Sequence, residues 1–261
     1  MTTYGAQTLT GVRHQVNEDA HGALPRRGVW VVADGMGGHA AGDLASQVTR
    51  DSVLESVQRK RALVEAIADA HAAVVRKGSE VRARRGMGST VVAAEVEQRT
   101  GEARIAWVGD SRAYLWRDGE LRRLTRDHSL VQQMVQQGRI SPAQAETHPD
   151  RNVLLRCLGF EEPGVDQLRI HLEPDDLLLL CTDGVTGELN DRRMAEIVAA
   201  AEDPQACADA LIDAVRVQRG GDDATAVVIR YSLVSSAWIP VLVGLLTGVV
   251  AFSIWMWMRS S

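Results

Sequence analysis

Five short acidic motifs, spread from Asn17 to Asp223, supply most of the side chains in this sequence that could do chemistry. Because carboxylates repel one another, gathering four or five of them in one place is favourable only around cations. Each motif lies where a strand-like run meets a turn, so a folded scaffold can present distant motifs at one shared site. The motifs are Asn17-Glu18-Asp19, Asp34-Gly35-Met36-Gly37-Gly38-His39, Gly109-Asp110-Ser111-Arg112, Thr182-Asp183-Gly184 and Gly221-Asp222-Asp223.

The strongest local pattern is the apolar run 31–33, which ends at Asp34 and is followed by glycines that let backbone carbonyls approach an ion. The same arrangement recurs at 106–110 and 177–184. A single Asp-Gly pair is usually a turn, but its repetition at strand ends favours a metal site. Hard oxygen ligands favour Mg²⁺ or Mn²⁺, since Cys and His in zinc-binding spacing are absent. Two such ions would lower the pKa of a water and direct it at phosphorus, without a covalent phosphoenzyme.

The composition is that of a globular chain that can bury a full core, with 261 residues, 45% hydrophobic and 24% charged. The net charge of -5 argues against a nucleic-acid binder, which needs basic surface. Cys157, Cys181 and Cys207 have no metal or redox spacing and indicate reduced thiols in a cytosolic domain. No basic segment followed by an apolar one opens the chain, so a cleaved secretory signal is not expected.

The order of strand-like and helical patterns predicts one α+β domain over residues 1–232. Helices arrive in blocks rather than after each strand, which favours a layered sandwich over a doubly wound parallel sheet. Asp118-Gly119 and Thr100-Gly101 predict hairpins. Residues 125–156 have weak periodicity and are predicted to form a mobile flap beside the site. The predicted strands are 3–10, 29–33, 90–96, 103–108, 113–116, 121–124, 168–172, 177–182 and 225–231, and the predicted helices are 41–59, 63–84, 192–201 and 204–219.

The carboxyl-terminal segment 237–258 contains no charged residue. As a helix it would reach roughly 33 Å, enough for a bilayer core of about 30 Å. We therefore predict a transmembrane helix after a short linker, 233–236, and before a tail, 259–261. Gly244 and Gly248 have a GxxxG spacing that could support a weak dimer, although glycine is common in membrane helices for other reasons. With no export signal and reduced thiols, a single-pass anchor in the inner membrane with a cytoplasmic catalytic domain is expected.

Taken in order, the five motifs resemble those of the metal-dependent Ser/Thr protein phosphatases, the PPM or type 2C family, especially its bacterial branch. Gly88-Ser89-Thr90 and the terminal run 221–225 belong to the same resemblance, which extends over residues 11–229. It implies a four-layer α+β sandwich of two antiparallel sheets flanked by helices, with metals in a cleft at one edge. It also implies that the substrates are phosphoserine or phosphothreonine in proteins and that the partner activity is a Ser/Thr kinase.

The resemblance also implies ligand roles by motif position. Asp34 would bridge two ions, Gly35 would contribute its carbonyl, and Asp183 with Asp222 would complete the shell of one ion. Asp110 would hold a third, weaker ion together with Asp183. Glu18 and Asp19 would act directly or through waters.

The sequence departs from the family pattern at two places. The family arginine that grips the substrate phosphate is replaced by His14, and Arg13 lies one residue earlier. Between these two we favour Arg13, because a guanidinium suits phosphate oxygens better than a neutral imidazole and a small backbone bulge could deliver it. Asp223 replaces an Asn found in many relatives, which adds a carboxylate near the metals and would tighten cation binding.

Four further polar residues, His39, Arg112, Asp127 and His128, lie in or near the motifs. His39 is either a general acid for the leaving alkoxide or a hydrogen-bonding residue of its loop. Arg112 is expected to pair with a neighbouring carboxylate, and Asp127 and His128 are expected to cap a helix. Two alternative functions remain: a metal phosphoesterase acting on small molecules, and a regulatory module that binds phosphoproteins without hydrolysis.

Overall fold

The computed structural model describes residues 1–37 and 41–232, which contain eleven strands and seven α-helices. The strands are β1 (Thr2–Leu9), β2 (Asp19–Leu24), β3 (Val29–Met36), β4 (Gly88–Ser89), β5 (Val91–Val96), β6 (Glu102–Val108), β7 (Arg112–Arg117), β8 (Glu120–Arg123), β9 (Asp166–His171), β10 (Leu177–Cys181) and β11 (Ala224–Tyr231). The helices are α1 (Gly42–Gln58), α2 (Leu63–Glu80), α3 (Leu130–Gln136), α4 (Pro142–Glu146), α5 (Asp183–Thr186), α6 (Asp191–Ala200) and α7 (Pro204–Gln218). Short 3₁₀ turns lie at Pro25–Arg27 and Arg82–Arg84.

The strands form two sheets in which neighbouring strands are antiparallel. The first sheet has the order β1-β11-β10-β7-β8, and the second has the order β2-β3-β5-β6-β9, with β4 paired to β3. The predicted α+β architecture of two antiparallel sheets flanked by helices is confirmed.

Apolar cores separate the layers, and the run 177–180 shows how one strand serves two of them. Because side chains alternate across a strand, Leu177 and Leu179 face the core beneath α6 and α7, whereas Leu178 and Leu180 face the core between the sheets. A third core joins the second sheet to α1 and α2. The layers therefore run helices, sheet, sheet, helices.

Strand β2 is missing from the predicted strands. Its sequence contains Gly22 and two alanines, with Leu24 as its one large apolar side chain, so it has no strong alternating pattern. Its pairing with β3 creates the strand, and Gly22 allows α1 to approach because a Cβ there would lie 2.8 Å from Leu54 Cδ1. Tertiary packing therefore determines that β2 forms. This strand positions the Asn17-Glu18-Asp19 motif, because it begins at Asp19.

The predicted flap, 125–156, contains α3 and α4. These helices have seven and five residues, too few to produce a recognisable apolar stripe in the sequence. Each begins at a serine whose Oγ accepts a backbone N–H, from Gln132 at Ser129 and from Gln144 at Ser141.

No helix among residues 1–37 and 41–232 is both long and apolar enough to cross a bilayer. The predicted span 237–258, its linker and the Gly244/Gly248 pair lie outside the described residues, as does His39.

Candidate active site

A cavity of about 720 Å³ brings together acidic residues that are far apart in the sequence. Strand β3, the β6–β7 turn, the start of α5 and the turn before β11 each deliver one carboxylate, and the loop before β2 adds another. Both sheets therefore contribute to one site. The predicted site residues on its wall are His14, Glu18, Asp34, Gly35, Asp110, Asp183 and Asp222.

Asp19 lies directly opposite Asp34 in the β2–β3 ladder. Like charges opposite one another destabilise an antiparallel pair, so this register requires a compensating positive charge when both are ionised. Asp19 Oδ2 accepts a hydrogen bond of 2.8 Å from the Thr182 hydroxyl, which in turn accepts the Thr225 N–H at 2.9 Å. Thr182 therefore ties the second sheet to the first at the site. Thr182 belongs to the Thr-Asp-Gly motif, but the motif alone predicts no role for its hydroxyl.

Thr90 holds Asp34 from the other side. The Asp34 N–H donates to Thr90 Oγ1 at 3.1 Å, and the Thr90 N–H donates to the Asp34 carbonyl at 2.8 Å. The Thr90 and Ser111 hydroxyls are 2.7 Å apart, which connects Asp34 to the loop that carries Asp110. The Gly-Ser-Thr motif was the available signal for this positioning role.

Gly35 is the point of closest backbone approach in the site. A Cβ at this residue would lie 1.8 Å from the Gly42 carbonyl oxygen and 2.8 Å from the Glu18 carbonyl oxygen. Glu18 Oε2 would lie 2.4 Å from a Cβ on Gly42, the first residue of α1, so this carboxylate is next to a helix N-terminus that favours negative charge. Only glycines allow the loop, β3 and α1 to meet here.

Burial, and then the neighbouring carboxylates, raise the pKa of the aspartates in the site. Burial, followed by interaction with Asp183, raises the pKa of both Asp34 and Asp110 well above the usual value. Burial raises the pKa of Asp19 to about 8. Burial and the neighbouring Asp222 raise the pKa of Asp183 to about 6. The site therefore holds several buried carboxylates whose ionised forms are disfavoured, which is the electrostatic condition that a divalent cation relieves.

The donor set fits hard divalent cations. Asp19 Oδ1 and Asp183 Oδ1 are buried and have no hydrogen-bond partner in the described part of the chain. As the side chains stand, no group of three or more His, Cys, Asp or Glu among residues 1–37 and 41–232 is spaced to hold an ion. These carboxylates repel one another, so they would move closer together only when a cation is bound. A cation would also interact with the two unpartnered oxygens.

Asp223 organises the loop before β2. Its buried carboxylate accepts the Gly11 N–H at 2.8 Å and the Glu18 N–H at 2.6 Å, and lies 2.9 Å from His14 Nδ1. The hydrogen bond to Asp223 raises the pKa of His14. The two departures from the family pattern are therefore in contact, and Asp223 positions both His14 and Glu18.

Arg13 lies outside the cavity wall that His14 lines. Arg13 is exposed, and its Nε would be 2.8 Å from a Cβ on Gly221, so the guanidinium lies over that glycine. Of these two candidate residues, His14 is the one that lines the cavity.

The predicted structural role of Arg112 is confirmed. Its Nη2 is 2.8 Å from Asp127 Oδ2, and Arg123 pairs with the same carboxylate. The prediction that Asp127 and His128 cap a helix is wrong, because Ser129 is the N-cap of α3. His128 Nδ1 instead accepts the Gly109 N–H at 3.2 Å.

Comparisons with known proteins place the chain among bacterial serine/threonine phosphatases. The chain matches the family model described as Stage II sporulation protein E over residues 25–232. It is 35% identical over 236 residues to the serine/threonine phosphatase stp of Listeria monocytogenes serotype 4b (strain F2365), covering 85% of this chain and 92% of that protein. Its structure resembles the Mycobacterium tuberculosis serine/threonine phosphatase PstP/Ppp with a TM-score of 0.81 and 30% identity, over 88% of this chain and 99% of that chain. The structure also resembles the catalytic domain of PstP in complex with two manganese ions. The TM-score is 0.78 and the identity 30%, over 88% of this chain and 98% of that chain.

Proposed function

This chain belongs to the PPM (type 2C) family of bacterial serine/threonine phosphatases and is a metal-dependent protein phosphatase, and we propose that its substrates are phosphoserine and phosphothreonine in proteins. In this proposal a water attacks the phosphate directly at a dinuclear metal site. The proposal rests on the position of Asp34. This residue lies opposite Asp19 and shares a cavity with Asp110, Asp183 and Asp222. A phosphate dianion would be repelled from these carboxylates unless cations lay between them.

The residues that would hold the two ions are Asp34, Gly35 through its carbonyl, Asp183 and Asp222, with Glu18 and Asp19 acting directly or through water. When bound, the ions would lower the pKa of the attacking water and neutralise phosphate oxygens. Thr182 and Thr90 keep Asp19 and Asp34 in place, so the ligands are positioned by hydrogen bonds from both sheets. Asp110 together with Asp183 would hold a third, weaker ion, and either Mn²⁺ or Mg²⁺ suits these oxygen ligands.

His14 is proposed to bind the substrate phosphate. It lines the cavity, and Asp223 favours its protonated form, which can donate to phosphate oxygens. His39 remains the candidate general acid for the leaving alkoxide, because a serine or threonine alkoxide must be protonated as it leaves.

Replacing His14 and Arg13 separately distinguishes the two phosphate-binding candidates. We expect His14→Ala to raise KM for a phosphothreonine peptide about tenfold, the value of a charge-assisted hydrogen bond, with a smaller change in kcat. Arg13→Ala, the matched control that also removes a basic side chain, should change KM less than about threefold. Steady-state kinetics in which Arg13→Ala has the larger effect would reverse this assignment.

A peptide assay separates the proposed reaction from its two alternatives. The full-length chain with Mn²⁺ should release phosphate from a phosphothreonine peptide faster than from a phosphodiester. Preference for the phosphodiester would support a small-molecule phosphoesterase. Peptide binding without phosphate release would support the regulatory module.

We further propose that the protein is anchored in the inner membrane by 237–258, with the catalytic domain in the cytoplasm, where it opposes a Ser/Thr kinase. The support is the uncharged 22-residue run in the sequence. Tethering would raise the local concentration of phosphoproteins on the same membrane, and the Gly244/Gly248 pair could join two spans weakly.

Deleting residues 237–261 tests the anchor. We expect the shortened chain to remain in the supernatant after ultracentrifugation of a lysate and to retain phosphatase activity, whereas the full-length chain pellets with membranes. If the shortened chain pellets with membranes to the same extent, the anchor assignment fails.

A further inference from the structure

The lining of the acidic cavity also includes apolar side chains. Leu154, Leu155 and Phe160, which we call the apolar shelf, line the same cavity as the carboxylates. Leu155 is 48% exposed and Phe160 is 51% exposed, so two large apolar side chains face water at the edge of the site. Single exposed apolar residues are common on protein surfaces, but several sharing a ligand cavity indicate a binding surface.

The backbone holds Phe160 in place while leaving its ring accessible. Leu158 exchanges two hydrogen bonds with Ser89, and the Gly159 N–H donates to His71 Nδ1 at 3.3 Å. Gly159 has a φ of 98°, and a Cβ there would lie 2.4 Å from the Met87 carbonyl oxygen. The turn before Phe160 is therefore tightly packed, which limits the conformational entropy lost on binding.

The Phe160 ring lies against the backbone of Gly88. A Cβ on Gly88 would stand 2.7 Å from Phe160 Cε2. Gly88 is in β4, where it pairs with Met36, and the adjacent pair is Ser89 with Gly35. Phe160 is thus only one strand away from the segment of β3 that carries Gly35 and Asp34.

The leucines of the shelf are also fixed through their backbone. Leu154 forms a bridge with Ser129, and the Leu155 N–H donates to the His128 carbonyl at 2.7 Å. Their side chains nevertheless remain on the cavity wall. The backbone of both parts of the shelf, at 154–155 and beside Phe160, is therefore held by hydrogen bonds, while the side chains line the cavity.

The charges next to the shelf are acidic. Glu161 and Glu162 are exposed, line the cavity and form no ion pair within the described part of the chain. Arg156 also lines the cavity, and its Nη1 is 3.1 Å from Asp166 Oδ1, so this arginine already has an acidic partner. An approaching peptide therefore meets an apolar surface followed by uncompensated negative charge.

We propose that the apolar shelf binds an apolar side chain within two residues of the phosphorylated residue of a substrate protein, and that Glu161 and Glu162 favour a basic residue beyond it. This inference rests on the proposed phosphatase function and adds a sequence preference to it. The occupant is a polypeptide segment because one cavity joins the phosphate site to a surface suited to neighbouring side chains.

Paired phosphothreonine peptides test the shelf. One peptide has leucine at the two positions on either side of phosphothreonine, and the other has glycine there. For the full-length chain with Mn²⁺ we expect kcat/KM to favour the leucine peptide about tenfold, as for an apolar pocket that gains a few methylene groups. In Phe160→Ala the ratio should fall to about twofold, and Leu155→Ala should lower it independently.

The control is Val217→Ala, which removes an apolar side chain that is 80% exposed on α7, outside the cavity. It should keep the wild-type ratio, and Phe160→Leu should keep most of it because an apolar side chain remains. Since each ratio compares two peptides on one enzyme preparation, a change in the active fraction cancels.

The acidic part of the preference has its own measurement. Lysine placed three or four residues from the phosphothreonine should give a higher kcat/KM than glutamate by a few-fold at low salt, and added NaCl should reduce the difference. Substituting both Glu161→Gln and Glu162→Gln should remove it. A lysine preference that survives both substitutions would overturn this part of the proposal.

The outcomes separate the shelf from the reaction. Equal kcat/KM for the leucine and glycine peptides, or a leucine preference unchanged in both Phe160→Ala and Leu155→Ala, overturns the shelf and leaves the phosphatase intact. Failure to hydrolyse any of the peptides overturns both the shelf and the proposed function.

Discussion

Asp34→Asn is expected to abolish tight Mn²⁺ binding and to lower kcat/KM for a phosphothreonine peptide by about a thousandfold or more. A bound metal stabilises the transition state by several kcal/mol. Losing it corresponds to that factor, because each 1.36 kcal/mol changes a rate tenfold. Asp34 has this influence because it lies opposite Asp19 and interacts electrostatically with Asp183, Asp110 and Asp222. Isothermal titration calorimetry with Mn²⁺ and steady-state kinetics on the same preparation measure the two losses together.

The substitution should not unfold the protein. Asparagine has nearly the same shape as aspartate and removes a charge that its neighbours disfavour, so the metal-free variant should melt no lower than the metal-free wild type. Asp51→Asn, at an exposed position in α1, is the matched control and should leave both Mn²⁺ binding and activity unchanged. Unchanged Mn²⁺ binding by Asp34→Asn would remove Asp34 from the ligand set.

Gly35→Ala is expected to reduce activity at least a hundredfold and to lower the free energy of unfolding by about 3 kcal/mol or more. The added Cβ would lie 1.8 Å from the Gly42 carbonyl oxygen, a backbone atom that cannot move without displacing the start of α1. The same displacement would shift the Gly35 carbonyl, the proposed ligand. Urea unfolding in EDTA measures the stability term separately from metal binding, and peptide kinetics measure the loss of activity.

Gly78→Ala provides the comparison for this steric argument. Its nearest neighbour would be Met87 Cγ at 3.1 Å, part of a flexible side chain, and alanine is favoured over glycine inside a helix. This variant should therefore stay close to wild type in stability and activity. If Gly35→Ala behaved like Gly78→Ala, the close packing of the loop, β3 and α1 around Gly35 would be refuted.

Much of the fold could be predicted because its signals are local. Leu177–Leu180 is a continuous apolar run, and the structure buries it on both faces. Asp118 and Gly119 predicted the β7–β8 hairpin, and both have positive φ, 52° and 81°, as the tight turn requires. The four predicted long helices begin within one residue of their observed starts.

What the sequence could not predict depends on contacts between distant residues. Strand β2 exists because β3 and α1 pack on it, and nothing in 19–24 indicates those partners. The contact between His14 and Asp223 joins residues 209 positions apart, so no local pattern indicates it. The tie from Thr182 to Asp19 is likewise a property of the folded sheets. Motif recognition indicated candidate ligands, whereas the hydrogen bonds that hold these residues are visible only in the folded structure.

The apolar shelf likewise depends on contacts that only the folded structure shows. Leu155 and Phe160 carry no motif, and their significance appears only when the structure places them beside the carboxylates. Chemistry common to a family can be read from ordered motifs, whereas substrate preference depends on how a variable surface meets the site.

The most direct test of the central claim is an anomalous difference map from crystals of the full-length chain grown with Mn²⁺, collected at the manganese absorption edge. We predict two strong peaks within about 2.0–2.3 Å of carboxylate oxygens, with Asp34 contacting both ions and Asp183 and Asp222 contacting one of them. A map with no peak in this cavity, or with Asp34, Asp183 and Asp222 directed away from any bound ion, would contradict it.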